Sequence, residues 1–192
     1  MKRLLACLVL LPACALLAQT ALEIDPAQSK VEFSVDSTLH KIHGTFQVRR
    51  GTIRFDPETG KVSGELIVDA TSGDSGSSAR DHRMHKEILQ SDRYPEIVFR
   101  PDRVEGKVAP EGASQVQLHG IFSIHGSDHE MTVPVDVQAG GGLYTSTAHF
   151  VVPYIKWGMK NPSTFVLRVN EIVEITAHTS AHTLHTTARA AR

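Results

Sequence analysis

The sequence predicts a single all-β domain of antiparallel strands, a closed barrel or a sandwich, and three observations predict it. Apolar residues recur at every second position. Turn-forming residues punctuate these runs at intervals of roughly ten residues. No second composition regime or internal repeat divides the 192-residue chain.

The alternation is read in order. Val31, Phe33 and Val35 alternate with Glu32 and Ser34; Phe46 and Val48 alternate with Gln47 and Arg49; Ile53 and Phe55 flank Arg54. Leu66 and Val68 follow, then Val116, Leu118, Phe122 and Ile124 across Gly120, then Val133, Val135 and Val137. Such a period sets one face of each strand on a core and the other in water. Asp56-Pro57-Glu58-Thr59-Gly60, the stretch 106–112 with Pro110, and Gly140-Gly141-Gly142 carry turn composition. A last strand is expected from about Phe165 to Thr176.

One segment departs from this pattern. Thr71 to Ser78 is rich in Ser and Gly and reads as a loop. Arg80 to Gln90 places Met84, Ile88 and Leu89 at helical offsets, which predicts one short helix ending before Tyr94-Pro95. A lone helix among strands suits a cap over one end of a barrel.

The two ends of the chain are set apart. Met1-Lys2-Arg3, then apolar Leu4 to Leu17, then Ala18 follow the order of a secretory signal cleaved after Ala18. The apolar run is short for a membrane span, and no later segment is long enough. Leu11-Pro12-Ala13-Cys14 offers a second reading, a lipoprotein box that would place a lipid on Cys14. Both cysteines, Cys7 and Cys14, lie in this stretch, so the domain needs no disulfide. The domain is expected over residues 22–178 and a disordered tail over 179–192, where Ala, Thr, His and Arg dominate.

Charge and motifs narrow the function classes. Twenty Lys and Arg against 21 Asp and Glu leave a net charge of −1 with no basic stripe, which argues against nucleic-acid binding. His82 and His85 are spaced to share a helix face, and His178, His182 and His185 also have helical spacing, but neither set carries a zinc signature. No Gly-x-Ser-x-Gly elbow or domain cysteine offers a nucleophile. Asp81 reads as a helix-start carboxylate that pairs with basic neighbours; Arg80-Asp81-His82 also reads as a grip for a polar head group. The aromatic residues Phe33, Phe46, Phe55, Phe99, Phe122 and Phe150 fall mostly in strand runs. They fit a filled core or a cavity lining equally well.

Several blocks then carry a resemblance. Ile24-Asp25-Pro26 leads into Ser29-Lys30-Val31-Glu32-Phe33-Ser34-Val35. His43-Gly44-Thr45-Phe46 precedes Gly51-Thr52-Ile53-Arg54-Phe55-Asp56. Arg80-Asp81-His82-Arg83-Met84-His85 is followed by Tyr94-Pro95-Glu96-Ile97-Val98-Phe99, then by Leu118-His119-Gly120-Ile121-Phe122-Ser123-Ile124-His125-Gly126 and Val133-Pro134-Val135. In this order the chain resembles the YceI-like family of bacterial periplasmic proteins. The resemblance implies an extended, lipocalin-like antiparallel barrel of about eight strands. It implies binding of a polyisoprenoid or similar amphiphilic lipid, a periplasmic address and no cofactor. Phe33, Phe46, Phe99, Phe122, Phe150 and Trp157 are then the candidate tunnel lining, and Arg80, His82 and Tyr94 the candidate head-group residues. The chain departs from its relatives over Ser37 to His43, over Thr71 to Ser78 and at Ile88-Leu89, positions expected to border the mouth.

The leading expectation is therefore a binding protein rather than an enzyme, with an amphiphilic lipid as partner and a homodimer compatible with a shared mouth or edge. Two rivals accompany it. One is a filled barrel acting as a stress-related interaction protein; the other is a metal-dependent enzyme acting on a lipid-like substrate.

Overall fold

A computed structural model describes residues 19–184. The expected signal segment 1–18, with Cys7 and Cys14, and the tail from residue 185, with His185, lie outside the described residues. Nine strands run β1 (Thr20–Ile24), β2 (Lys30–Asp36), β3 (Lys41–Phe55), β4 (Val62–Asp69), β5 (Glu96–Glu105), β6 (Gly112–Ile124), β7 (Ser127–Gly140), β8 (Leu143–Val152) and β9 (Val173–Thr183). Every pairing is antiparallel, and each strand from β2 to β8 pairs with its successor in the chain.

The sheet closes because β9 returns to the start. It pairs with β2 through Lys30↔His178 to Ser34↔Glu174, and with β1 through Leu22↔Thr183 to Ile24↔Ala181. β1 and β2 thus share one place between β3 and β9, split by the 3₁₀ turn Pro26–Gln28. Pro26 has no N–H for a ladder, and Asp25 caps the turn by accepting from the Ala27 N–H at 2.9 Å. The result is a closed eight-position barrel, the architecture that the family resemblance implies.

The strands alternate in direction, which sorts the connections by end. The β3–β4, β5–β6 and β7–β8 turns close one end and are short. In the first of them the buried Asp56 carboxylate accepts from the Thr59 hydroxyl at 2.7 Å and the Glu58 N–H at 2.9 Å, bonds that hold it below the ordinary aspartate range. The long connections, residues 70–95 and 153–172, lie at the other end beside the β2–β3 turn.

The cap over this end contains the expected helix with altered geometry. Residues Ser78–Arg83 form α1, and Met84–Leu89 continue it as a π-helical turn. The widened π turn carries Met84, Ile88 and Leu89 along the barrel opening. The His85 ring pins the cap from within. Its Nε2 lies 2.9 Å from the Gly73 carbonyl, which can only accept, so Nε2 donates and Nδ1 takes the Ser91 hydroxyl at 3.1 Å.

Three expectations are corrected. Residues 165–172 are not strand; β9 starts at Val173, because Phe165 and Val166 occupy a tight turn and Asn170–Glu171 break the alternation. β9 then runs to Thr183, so residues 179–183 belong to the barrel and not to a tail. His178 and His182 accordingly lie on a strand rather than a helix, and His178 meets Thr147 at 3.1 Å. No helix among the described residues is long and apolar enough to cross a membrane.

Candidate ligand cavity

Closing a strongly alternating sheet turns one side chain in two toward the axis. Here those side chains leave a cavity of about 670 Å³, a volume typical of sites for small organic ligands. The reason it is not filled lies in β8 and β9. Their inward pairs Ser146↔Thr179 and Ala148↔Ala177 are small, while the rest of the wall presents Phe33, Phe46, Phe99 and Phe122. The Ser146 and Thr179 hydroxyls satisfy each other at 2.7 Å, so neither demands a partner from the cavity.

The closed end is apolar. Phe55 and Tyr144 meet edge to face, with ring centroids 6.3 Å apart, above the short turns. Inward positions on β6 run from Val116 to Ile124, roughly 20 Å of barrel axis at a 35–45° strand tilt. Polar side chains gather at the other end: Ser37, His40, Ser75, Ser77, Arg80 and Arg83. The half-buried Arg80 donates from Nε to the Ser75 hydroxyl at 2.7 Å and from Nη2 to the Ser75 carbonyl at 2.8 Å. It forms no ion pair among the described residues, whereas Arg83 lies 3.7 Å from Glu87. Asp81 does not pair with a basic neighbour; it takes the Ser75 N–H at 2.9 Å and so braces the loop that holds Arg80.

Sequence and structure comparisons agree with this geometry. The model of the YceI-like domain matches residues 22–181. The chain belongs to the YceI-like family. Its barrel is similar to that of Burkholderia cenocepacia BcnA, at 22% identity and a TM-score of 0.66 over 82% of this chain and 98% of that one. It is also similar to a polyisoprenoid binding domain from Saccharophagus degradans implicated in plant cell wall breakdown, at 13% identity and a TM-score of 0.67 over 86% and 99%. The Campylobacter jejuni YceI protein follows at 12% identity and a TM-score of 0.57 over 70% and 81%. No curated protein matches the chain.

In this YceI-like barrel, Phe33, Phe46, Phe99, Phe122, Phe150 and Arg80 all line the cavity. The other three candidates do not. Trp157 packs against Phe122 at 5.8 Å and lies flat on His129, with centroids 3.9 Å apart and planes 6° apart. Burial under this stack pushes the His129 imidazole pKa down. Tyr94 packs on Gly126 and the His125 ring, at 5.0 Å, and takes the Arg93 guanidinium over its own face, so it fastens the cap to the β6–β7 turn. His82 lies on α1 and faces away from the cavity. Of the stretches expected to border the mouth, by contrast, Ser37, Leu39, His40, Ser75, Ser77, Ile88 and Leu89 all line the cavity. Alternation alone would have added Tyr144; Ser75, Arg83 and Met84 come from the cap, whose fold no period announces.

Tyr154, buried at the start of the 153–172 connection, fastens the two ends of that connection together. Its hydroxyl donates to the Asn170 carbonyl at 2.9 Å, and burial pushes the phenol up to about 12. The pKa is raised on folding, so the neutral phenol's contribution is whole below the unfolded value of roughly 10 and is lost as pH climbs from there through about 12. An alkaline titration followed by tyrosinate absorbance should show a late step that Tyr154→Phe removes. The variant should lose about 1 kcal/mol at neutral pH; an unchanged titration would refute the assignment.

Proposed function

We propose that this protein is an exported, periplasmic carrier of a long-chain amphiphile, a polyisoprenoid or a similar lipid, and not an enzyme. The observation that carries the reading is the distribution of polarity along the cavity. The wall is apolar to its closed end apart from Tyr144 and the mutually bonded Ser146 and Thr179, and an arginine without an ion pair among the described residues stands, with its serine, only at the mouth. The chain of such a ligand would lie along the axis, each buried methylene contributing ~0.8 kcal/mol. Its polar head would meet Arg80, with Arg83 beside it. The polyisoprenoid binding described for the Saccharophagus degradans domain supports this ligand class.

The test is extraction. Protein purified from its native compartment without detergent is extracted with organic solvent, and the extract is read by mass spectrometry. One amphiphile near one per chain is the expected result. An empty extract, followed by failure of the folded protein to take up any long-chain prenol or fatty acid, would refute the reading.

A further inference from the structure

Three apolar side chains stand out as exposed among the described residues: Phe165 at 97%, Val166 at 84% and Leu39 at 76%. All three project from the mouth end. Phe165 and Val166 form the tip of a tight turn, in which the Thr164 N–H donates to the Leu167 carbonyl at 2.7 Å and the Leu167 N–H to the Thr164 hydroxyl at 3.0 Å. Leu39 tops the adjacent β2–β3 turn, closed by the Ser37 hydroxyl on the His40 carbonyl at 2.7 Å. The two turns are laced together. Thr38 N–H donates to the Arg168 carbonyl at 3.0 Å, Asn170 N–H to the Asp36 carbonyl at 2.8 Å, and Ser37 bridges Val169. Turn tips ordinarily carry Gly, Asn, Asp, Ser or Pro. The fold has no use for a phenylalanine that buries almost none of its surface.

Continuity, charge and size decide what covers this tip. Leu39 itself and Leu167, the neighbour of Val166, line the cavity, so the apolar tip adjoins the cavity's open end. Residues 153–172 carry Lys156, Lys160 and Arg168 against the single carboxylate Glu171, in a chain of net charge −1. Lys160 is paired with Glu87, while Lys156 and Arg168 form no ion pair among the described residues. Two turn tips offer far less than the ~800 Å² per partner of a stable protein interface. Apolar tips on a connection that carries more cations than carboxylates suit the boundary of an anionic bilayer.

We propose that the mouth docks on an anionic lipid surface. Phe165, Val166 and Leu39 enter the interface, Lys156 and Arg168 face the head groups, and the open end of the cavity abuts the acyl layer. This deepens the carrier reading by naming where the ligand is exchanged, and it rests on that reading only for the purpose of docking.

Vesicle flotation tests it, using phosphatidylcholine vesicles with and without phosphatidylglycerol and protein whose N-terminus is read by mass spectrometry. The protein should float with the anionic vesicles. Phe165→Ser with Val166→Ser should lower partitioning tenfold or more, and Leu39→Ser, on the other turn, should lower it independently. Lys156→Gln with Arg168→Gln should remove the preference for phosphatidylglycerol. Uptake of a fluorescent prenol from solution should be unchanged in the Phe165→Ser/Val166→Ser and Lys156→Gln/Arg168→Gln variants, which also reports that they fold; for Leu39→Ser, which borders the cavity, thermal unfolding reports the fold. Protein that stays soluble with both vesicles, or serine variants that float like the parent, would overturn the proposal. So would a dimer that Phe165→Ser dissolves, because a second copy would then cover the tip. Prenol uptake without flotation defeats docking and leaves the carrier; flotation without uptake defeats the carrier and leaves docking.

Discussion

Replacing Ala148 with tryptophan should abolish uptake of a long-chain amphiphile and leave the barrel folded. Ala148 faces the axis at mid-height, opposite Ala177 on β9 and Val135 on β7. Its methyl borders open space, so an indole there enters the cavity without overpacking a core. A ring that displaces about four methylenes of the ligand removes roughly 3 kcal/mol of burial, a hundredfold or more in affinity. Binding of a fluorescent fatty acid or prenol measures the loss, and thermal unfolding shows whether the fold persists. Normal affinity in a stable Ala148→Trp protein would mean that the ligand does not occupy the axis.

The largest effect on stability is expected at Gly64. It sits within β4 opposite Ile53 with φ +114, a conformation that L side chains rarely adopt, and a Cβ there would lie 2.0 Å from the Thr52 carbonyl oxygen. The obstacle is backbone and cannot rotate away. Gly64→Ala should therefore cost more than ~3 kcal/mol, seen as a lower urea midpoint or as insoluble protein. Gly76, at φ +77, has nothing within 4 Å of the added methyl, and Gly76→Ala should cost only ~1–2 kcal/mol. Equal stability losses in the two variants would show that steric contact at Gly64 is not the cause.

The barrel was legible because its strands are built on a period of two, and a closed sheet needs little else. Finer features follow from the same period. Along β3 the inward residues shift from Phe46 and Val48 to Gly51, Ile53 and Phe55, and the bulge that shifts them falls between Val48 and Arg50. On β5 the bulge between Pro101 and Arg103 likewise moves the inward phase from Phe99 to Val104. In both strands a change of parity in the amino-acid sequence coincides with an extra residue in the ladder.

Hollowness was not legible in this way. Ser146, Ala148, Ala177 and Thr179 are ordinary small residues until the register sets them in pairs on one wall, and register between strands some thirty residues apart is a tertiary property. The cap was harder still. Asp81 and Ser75 hold Arg80 through side-chain bonds that carry no period, and Trp157 and Tyr94, expected at the tunnel wall and at the head group, instead secure the cap or its rim. The strand expected from Phe165 failed for the same reason: a run of apolar letters does not say whether its side chains meet a sheet or the outside.

The chain enters the barrel at Thr20 and leaves it beside the same spot, where Leu22 pairs with Thr183 and the Leu184 N–H donates to the Ala21 carbonyl at 2.7 Å. Both ends therefore emerge from the closed base, on the side opposite the mouth. Anything fastened to either end becomes a stalk under the barrel. A lipid on Cys14 would leave a tether of at most ~20 Å to Thr20, shorter than the ~30 Å height of the barrel. A molecule moored in that manner would hold its opening toward a facing membrane and could not turn it back to its own, whereas one cut free after Ala18 could visit either.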